Sequence, residues 1–250
     1  RTGFTGKFGI GVEGGTKGSF DFFHPIGRGP YLKKQKDGSL RHETQLCGDR
    51  AIEFINDNDE KKPFCLSVCF NASHAEDGDK RPGIGHFPWP KVVDGLYDDI
   101  RMPPPLYSAP GVYESQPEYL KKSLNRQRFF WRWDTPEKFQ VNMRAYYRMI
   151  SGIDHVVGRV REELQELALA ENTILVFSGD NGYYMGQRGF AGKWSHYEES
   201  LRVPLIIYDP RAPRHLRGRT APEMALNIDI PATILAYAGA QVPEGYQGRN

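Results

Sequence analysis

Apolar and polar positions alternate along this chain in two rhythms. Short apolar runs bounded by turn residues recur at residues 4–10, 64–70, 174–177 and 201–208, and such runs predict strands. Other stretches place apolar residues three and four apart. The clearest spans residues 138–169, where Val141, Ala145, Met149, Ile153, Val156, Val160, Leu164 and Leu167 form one helical stripe. Residues 49–55 predict a shorter helix with Ala51, Phe54 and Ile55 on one side. Residues 229–238 predict another, with Asp229 as N-cap, Pro231 in the first turn and Gly239 just past the end. Strands alternating with helices predict an α/β fold, a mostly parallel central sheet with helices on both faces. Ile174-Leu175-Val176-Phe177 is apolar at every position, which suits a strand buried on both faces of that sheet. Residues 76–136 break the rhythm. They are rich in proline, glycine and aromatics, and predict a long irregular excursion near a site.

A length of 250 residues is enough for one large α/β domain, and residues 1–250 are expected to form a single one. The 33 basic residues nearly balance the 31 acidic ones, so bulk charge points to no nucleic-acid partner. The longest apolar runs are strand-length, which predicts no membrane span, and no signal peptide is visible. The chain opens inside a strand-like run and stops without a terminating pattern, as a piece of a longer protein would. Cys65 and Cys69 fall on one side of a predicted strand. Together with Cys47 they read as small core hydrophobes rather than a metal or disulfide site, the odd count arguing against a disulfide framework.

Candidate chemistry gathers at strand ends. Asp180 and Asn181 follow the 174–177 strand, and ligands in open α/β sheets sit beyond the carboxyl ends of strands. A carboxylate beside an amide suits a hard cation, calcium or magnesium; the plain alternative is turn chemistry. His74 follows the 64–70 strand in the same way, so the two ends can converge on one crevice. Lys7 and Lys193 each stand in a Gly-Lys-aromatic triplet, Gly6-Lys7-Phe8 and Gly192-Lys193-Trp194. An ammonium at a strand end can meet an anion. Residues 9–14 fit G-x-G-x-x-G, but loop-forming residues follow where a dinucleotide fold needs a helix, so that reading is rejected. The sequon Asn71-Ala72-Ser73 abuts a buried strand end and reads as coincidence. Arg126-Gln127-Arg128-Phe129-Phe130-Trp131-Arg132-Trp133 could bind an anionic sugar, although a packed excursion with a charged face is favoured.

Four segments, in order, resemble the large arylsulfatase-type family of sulfatases in the alkaline-phosphatase superfamily. Thr5-Gly6-Lys7-Phe8-Gly9 is similar to its "GKW" strand, Phe70-Asn71-Ala72-Ser73-His74 to its "NxPH" strand end, and Ser178-Gly179-Asp180-Asn181-Gly182 to its "SDNG" metal motif. Gly192-Lys193-Trp194 with Tyr197-Glu198 and Arg202-Val203-Pro204-Leu205 resembles its "GK…YE…RVPL" segment. The resemblance implies an alkaline-phosphatase-like catalytic domain, here partial, that hydrolyses a sulfate ester with calcium (or magnesium) and formylglycine. It implies Asp180 and Asn181 as metal ligands, Lys7 and Lys193 on the sulfate oxygens, and His74 near the bridging oxygen, assisting the leaving group. His196 and His24 would touch the organic part of the substrate, a sulfated small molecule or glycan. Export to the periplasm or outside the cell is the family's expectation.

Three departures qualify this. The nucleophile pattern C/S-x-P-S/A-R is absent, since none of Cys47, Cys65 and Cys69 fits it. The paired aspartates that complete the family's metal site are absent too. The histidine that often follows the "GKW" lysine by two residues is here Gly9. The chain alone is therefore expected to be inactive. Two rivals stand beside the sulfatase reading: a phosphodiesterase or phosphonate hydrolase of the same superfamily, and a non-catalytic descendant that binds sulfated glycans.

Overall fold

Strand β1 (Thr2–Gly6) lies at the centre of a parallel sheet, flanked by β2 (Phe22–Pro25) on one side and by Cys65–Cys69 on the other. The computed structural model describes residues 1–58, 62–79 and 85–250; the part of the 76–136 excursion at residues 80–84 lies outside them. A hairpin, β3 (Leu32–Lys34) with β4 (Leu40–His42), leads into helix α1 (Glu43–Asn56), and β5 is Cys65–Cys69. The excursion then folds into α2 (Pro110–Glu114), α3 (Glu118–Lys121) and α4 (Leu124–Arg132), followed by the long α5 (Pro136–Glu166). Next come β6 (Leu175–Ser178), the short pair β7 (Tyr184–Met185) and β8 (Ala191–Gly192), α6 (Glu198–Leu201), β9 (Leu205–Tyr208) and α7 (Asp229–Tyr237).

The residues group into two units. Residues 1–173 and 181–202 form the first, residues 174–180 and 203–250 the second. In the first, α5 starts where Thr135 accepts a hydrogen bond from Lys138 N and Pro136 takes the first turn, a position that needs no N–H. Its inner stripe buries Phe139, Ala145, Met149, Ile153, Val156 and Leu164. Val141, expected on that stripe, points outward, and Phe139, half a turn earlier, takes the inner place. Helix α1 packs along α5, and Arg159 of α5 reaches Asp49 of α1 at 2.9 Å. The excursion is packed rather than loose: Phe87, Met102 and Trp133 join Phe139, Ala145 and Met149 in the main core.

Two sequence expectations change in the second unit. Strand β6 does not lie within a parallel array. It pairs antiparallel with β9, Leu175 opposite Tyr208 and Ser178 opposite Leu205. Its residues are half-buried to exposed, and all four of β9 are exposed. A run of apolar residues advertises two apolar faces but carries no information on the direction of a neighbour. Helix α7 begins with Ile228 as cap, while Asp229 is its first residue and accepts from Leu226 N and Arg249 N. In the first unit Cys47 is buried as expected, whereas Cys65 is exposed on the outer strand β5. Among the described residues no helix is long and apolar enough to cross a membrane.

Candidate functional site

Three loops leave the C-terminal edge of the parallel sheet together. Lys7 N donates to Cys69 O at 2.6 Å, and Ile26 N to Gly6 O at 2.7 Å. Asn71 Nδ2 then donates to Ile26 O at 3.1 Å. This brings Lys7 after β1, Arg28 after β2 and His74 after β5 to one end of the sheet, as open α/β topology predicts. The Tyr31 hydroxyl pins the His74 loop from below, donating to Asn71 O (3.0 Å) and His74 O (2.6 Å). Asn71 itself is buried and bonded, so its sequon is no glycan acceptor in this fold. Residues 9–14 form a loop with no helix behind it.

The two Gly-Lys-aromatic triplets share one physical device. Gly6 has φ +101°, and a Cβ there would lie 1.9 Å from Cys69 O. Gly192 has φ +114°, and a Cβ there would lie 2.4 Å from Asn125 Oδ1. In each triplet only glycine lets the backbone turn this closely against its neighbour, and the turn delivers the following lysine. Asn125 Nδ2 completes the second turn by donating to Lys193 O at 2.5 Å. Gly6→Ala is expected to destabilise the protein by roughly 2–3 kcal/mol, because a left-handed backbone and a backbone obstacle add together. Denaturant unfolding of the variant checks this; a loss under ~0.5 kcal/mol would contradict the packing at that turn.

Lys193 Nζ donates to Asn181 Oδ1 at 2.7 Å. The two line an open pocket of about 510 Å³ with Trp194, Ser195, His196, Ser200 and Leu201. The fold therefore brings three predicted residues, Lys193, Asn181 and His196, to one cavity. His196 is exposed and packs on Tyr197, ring centres 4.6 Å apart. His24 sits in β2 opposite Thr5, packed on Phe22. His74 stands in the loop after β5 and is not among the residues that line this pocket. Burial first, then the charges of Arg28 and Lys193, hold its imidazole below the usual histidine range despite a hydrogen bond to Ala75. Its Nδ1 donates to Ala75 O at 2.7 Å, and its Nε2 accepts from Arg28 Nη1 at 2.9 Å. A guanidinium can only donate, so Nε2 carries the lone pair and the ring is neutral.

Behind His74 lies a group of cations. Asp77 is shared by Arg132 (2.9 Å), Arg128 (3.2 Å) and Arg28 (3.8 Å). Burial raises its carboxyl, but the Arg132 hydrogen bond and the surrounding positive charge outweigh this and hold it below the usual carboxylate range. Arg132 is fully buried and also donates to the Tyr183 hydroxyl at 3.0 Å. Of the cationic-aromatic stretch, Arg126 packs over Tyr113 and donates to Gly189 O, and Arg132 is core. Arg128 lies beside the pocket-lining Trp194, its guanidinium 5.1 Å from the centre of that ring. The stretch is thus a packed element with a charged face, as the sequence favours. Neither Arg28 nor Asp77 had any signal in the sequence beyond Asp77 lying three residues after His74.

Asp180 and Asn181 carry the oxygen donors that a hard cation takes. Asp180 is exposed, and its backbone oxygen accepts from Asn227 Nδ2 at 3.2 Å. Calcium requires six to eight oxygens. Among the described residues no three His, Cys, Asp or Glu side chains gather where an ion could sit. These side chains alone do not fit a complete calcium or magnesium site.

Comparison with known proteins agrees with this architecture. An N-acetylglucosamine-6-O-sulfatase of Bacteroides thetaiotaomicron is 25% identical, over 83% of this chain and 45% of its own length. An arylsulfatase of Clostridium perfringens is 29% identical, over 83% of this chain and 40% of its own. The chain thus spans less than half the length of these relatives. A solved protein in complex with its substrate D-glucosamine-2-N,6-O-disulfate superposes with a TM-score of 0.68 at 22% identity, covering 100% of this chain and 60% of that one. A phosphonate monoester hydrolase from Silicibacter pomeroyi gives 0.67 at 19% identity, covering 88% and 44%. Both show the alkaline-phosphatase-like fold, a parallel sheet with helices, here as part of a domain. The Sulfatase family model matches residues 1–240, and the chain belongs to the sulfatase family.

Proposed function

We propose that the protein hydrolyses a sulfate ester on a carbohydrate, and that these 250 residues form the part that grips the sulfate and assists departure of the sugar oxygen. The observation that carries this reading is the pocket joining Lys193, Asn181 and His196, in which the Lys193 ammonium is held on Asn181 Oδ1. Sulfate hydrolysis places negative charge on the equatorial and departing oxygens, and fixed cations meet that charge without solvent reorganising. Lys193 and Lys7 are assigned to the sulfate oxygens. His74 is assigned to the leaving oxygen; in its present tautomer Arg28 occupies Nε2, so Arg28 must move aside before that nitrogen can carry a proton to the sugar. His196 and Trp194 face the sugar. Asp180 and Asn181 are assigned as two oxygen ligands of a divalent ion, calcium or magnesium. Its other ligands would come from water, substrate or residues outside this chain. When bound, such an ion supplies further neutralisation of sulfate charge. The attacking nucleophile, formylglycine by family expectation, has no counterpart here. Export to the periplasm or cell exterior accompanies this reading; one relative is named an extracellular sulfatase, of Drosophila melanogaster.

The same pocket chemistry suits a phosphonate or phosphate diester, so relative rates decide between them. A full-length protein carrying these residues is expected to turn over 4-nitrophenyl sulfate faster than phenyl phosphonate monoesters. Lys193→Ala is expected to lower kcat/KM for sulfate about 10²-fold, the usual effect of deleting one charged oxyanion donor. The isolated 250 residues are expected to bind sulfate without turnover. Faster phosphonate cleavage, or full activity in Lys193→Ala, would sink the sulfatase assignment; turnover by the isolated chain would sink the division of labour.

A further inference from the structure

Three observations around the pocket exceed what one sulfate group requires. First, Trp194 is 66% exposed and held by a left-handed backbone, φ 75°. A bulky residue in that region costs about 1–3 kcal/mol and persists only where the surroundings impose it. Its indole lines the Lys193 pocket, and the Arg128 guanidinium lies 5.1 Å from the centre of that ring. Second, Arg28, Arg128 and Arg132 share the single carboxylate of Asp77, leaving that group with two positive charges in excess. Arg132 is buried against Asp77, so the excess resides on Arg28 and Arg128. Third, each of those two has bonding capacity to spare. Arg28 lies 3.8 Å from Asp77, a loose pairing, with its side chain 46% exposed. Arg128 has 12% of its side chain exposed and its Nε is buried without a hydrogen-bond partner among the described residues, so contact with a ligand falls to its terminal nitrogens.

We propose that Trp194, Arg28 and Arg128 form a subsite for a second oxyanion on the sugar that bears the scissile sulfate. The inference rests on the sulfate-ester reading above and deepens it. One sugar face lies on the indole, an arrangement that suits the C–H face of a pyranose. The scissile sulfate points to Lys193. The second anion, a sulfate or a carboxylate, takes Arg28 and Arg128, and a planar guanidinium matches either group through two parallel N–H bonds. Arg28 thereby leaves Nε2 of His74 when the correct substrate binds, which couples recognition of the second anion to release of the imidazole. A sugar with one sulfate leaves Arg28 where it is now.

The test is calorimetric titration of the 250-residue chain at 150 mM salt with four probes: inorganic sulfate, N-acetylglucosamine 6-sulfate, glucosamine 2-N,6-O-disulfate and a 2-sulfated uronic acid. At least one dianionic sugar is expected to bind ten-fold or more tighter than the monosulfate, and comparing the two reveals whether sulfate or carboxylate is preferred. Arg28→Gln is expected to bring that ratio towards one. Trp194→Ala, a change at an exposed side chain, is expected to weaken the sugars relative to inorganic sulfate. Equal binding of monoanionic and dianionic sugars, or a ratio unchanged in Arg28→Gln, overturns the subsite and leaves the sulfate-ester reading standing. No binding of any sulfated probe overturns both.

Discussion

Asp77→Ala is expected to destabilise the first unit by about 3–5 kcal/mol, the cost of leaving a buried charge without its counter-ion. Arg132 is fully buried, and Asp77 is the carboxylate that neutralises it at 2.9 Å. With Asp77 gone, Arg132 retains the Tyr183 hydroxyl, which is a dipole and not a charge. Arg128 and Arg28 then face Arg132 without the anion that screens them from one another. Deleting Arg132 instead leaves Asp77 with two other guanidiniums, so that change acts mainly through lost packing. The pair can be separated by a double-mutant cycle. Asp77→Ala/Arg132→Met is expected to lose less than Asp77→Ala alone, because an apolar side chain of similar volume removes the stranded charge. Denaturant unfolding of the three variants supplies the measurement. A loss under ~1 kcal/mol for Asp77→Ala, or simple additivity in the double variant, would show that this network does not hold the fold.

How far the chain could be read in advance depended on the range of the interaction. The α5 helix and its inner stripe follow from local periodicity, and only Val141 was misplaced, since the stripe is wide enough for Phe139 to take its place. Lys7, His74, Asn181 and Lys193 stood out because strand ends and glycine turns are written in neighbouring residues. Arg28 and Asp77 did not. Their meaning comes from contacts 46 and 55 residues away, to His74 and Arg132, which no spacing rule encodes. The same limit explains strand β6: its apolar run marked a strand correctly, but its antiparallel partner is a separate choice made by the connection. Cys65 illustrates a third limit. Strand alternation put it on one side with Cys69, yet whether that side is covered depends on what packs there.

Glu43 and His42, consecutive and both buried at the entry to α1, are expected to impose opposite pH dependences that conceal each other. Burial pushes the Glu43 carboxyl up from 4.5 to about 7; Lys33 and the Asn71 hydrogen bond oppose this and Glu76 adds to it. Between those values the folded state holds more protons than the unfolded one, so stability falls as pH rises from 4.5 to 7, by about 1.4 kcal/mol per unit and ~3 kcal/mol in all. Burial pulls His42 down from 6.5 to about 4, against a hydrogen bond to Pro88 O. There the unfolded state binds more protons, and stability falls by a similar ~3 kcal/mol as pH drops from 6.5 to 4. Over pH 4.5–6.5 the two slopes cancel. Glu43→Gln keeps an oxygen for Asn71 Nδ2, now 3.0 Å from Oε2, and removes only one of them. Relative to the unmodified protein, its stability is expected to improve progressively from pH 4.5 to 7 and then level off. His42→Asn, which retains a capping acceptor for Thr44 N, should show the reverse, gaining at pH 4 relative to pH 7. Because Tyr31 stacks on His42 and holds the His74 carbonyl, these ionisations act directly beneath the loop that carries the imidazole. Guanidinium unfolding at pH 4.5, 5.5, 6.5 and 8 reads both differences, and a Glu43→Gln difference that is flat across that range would refute the buried carboxyl as the source.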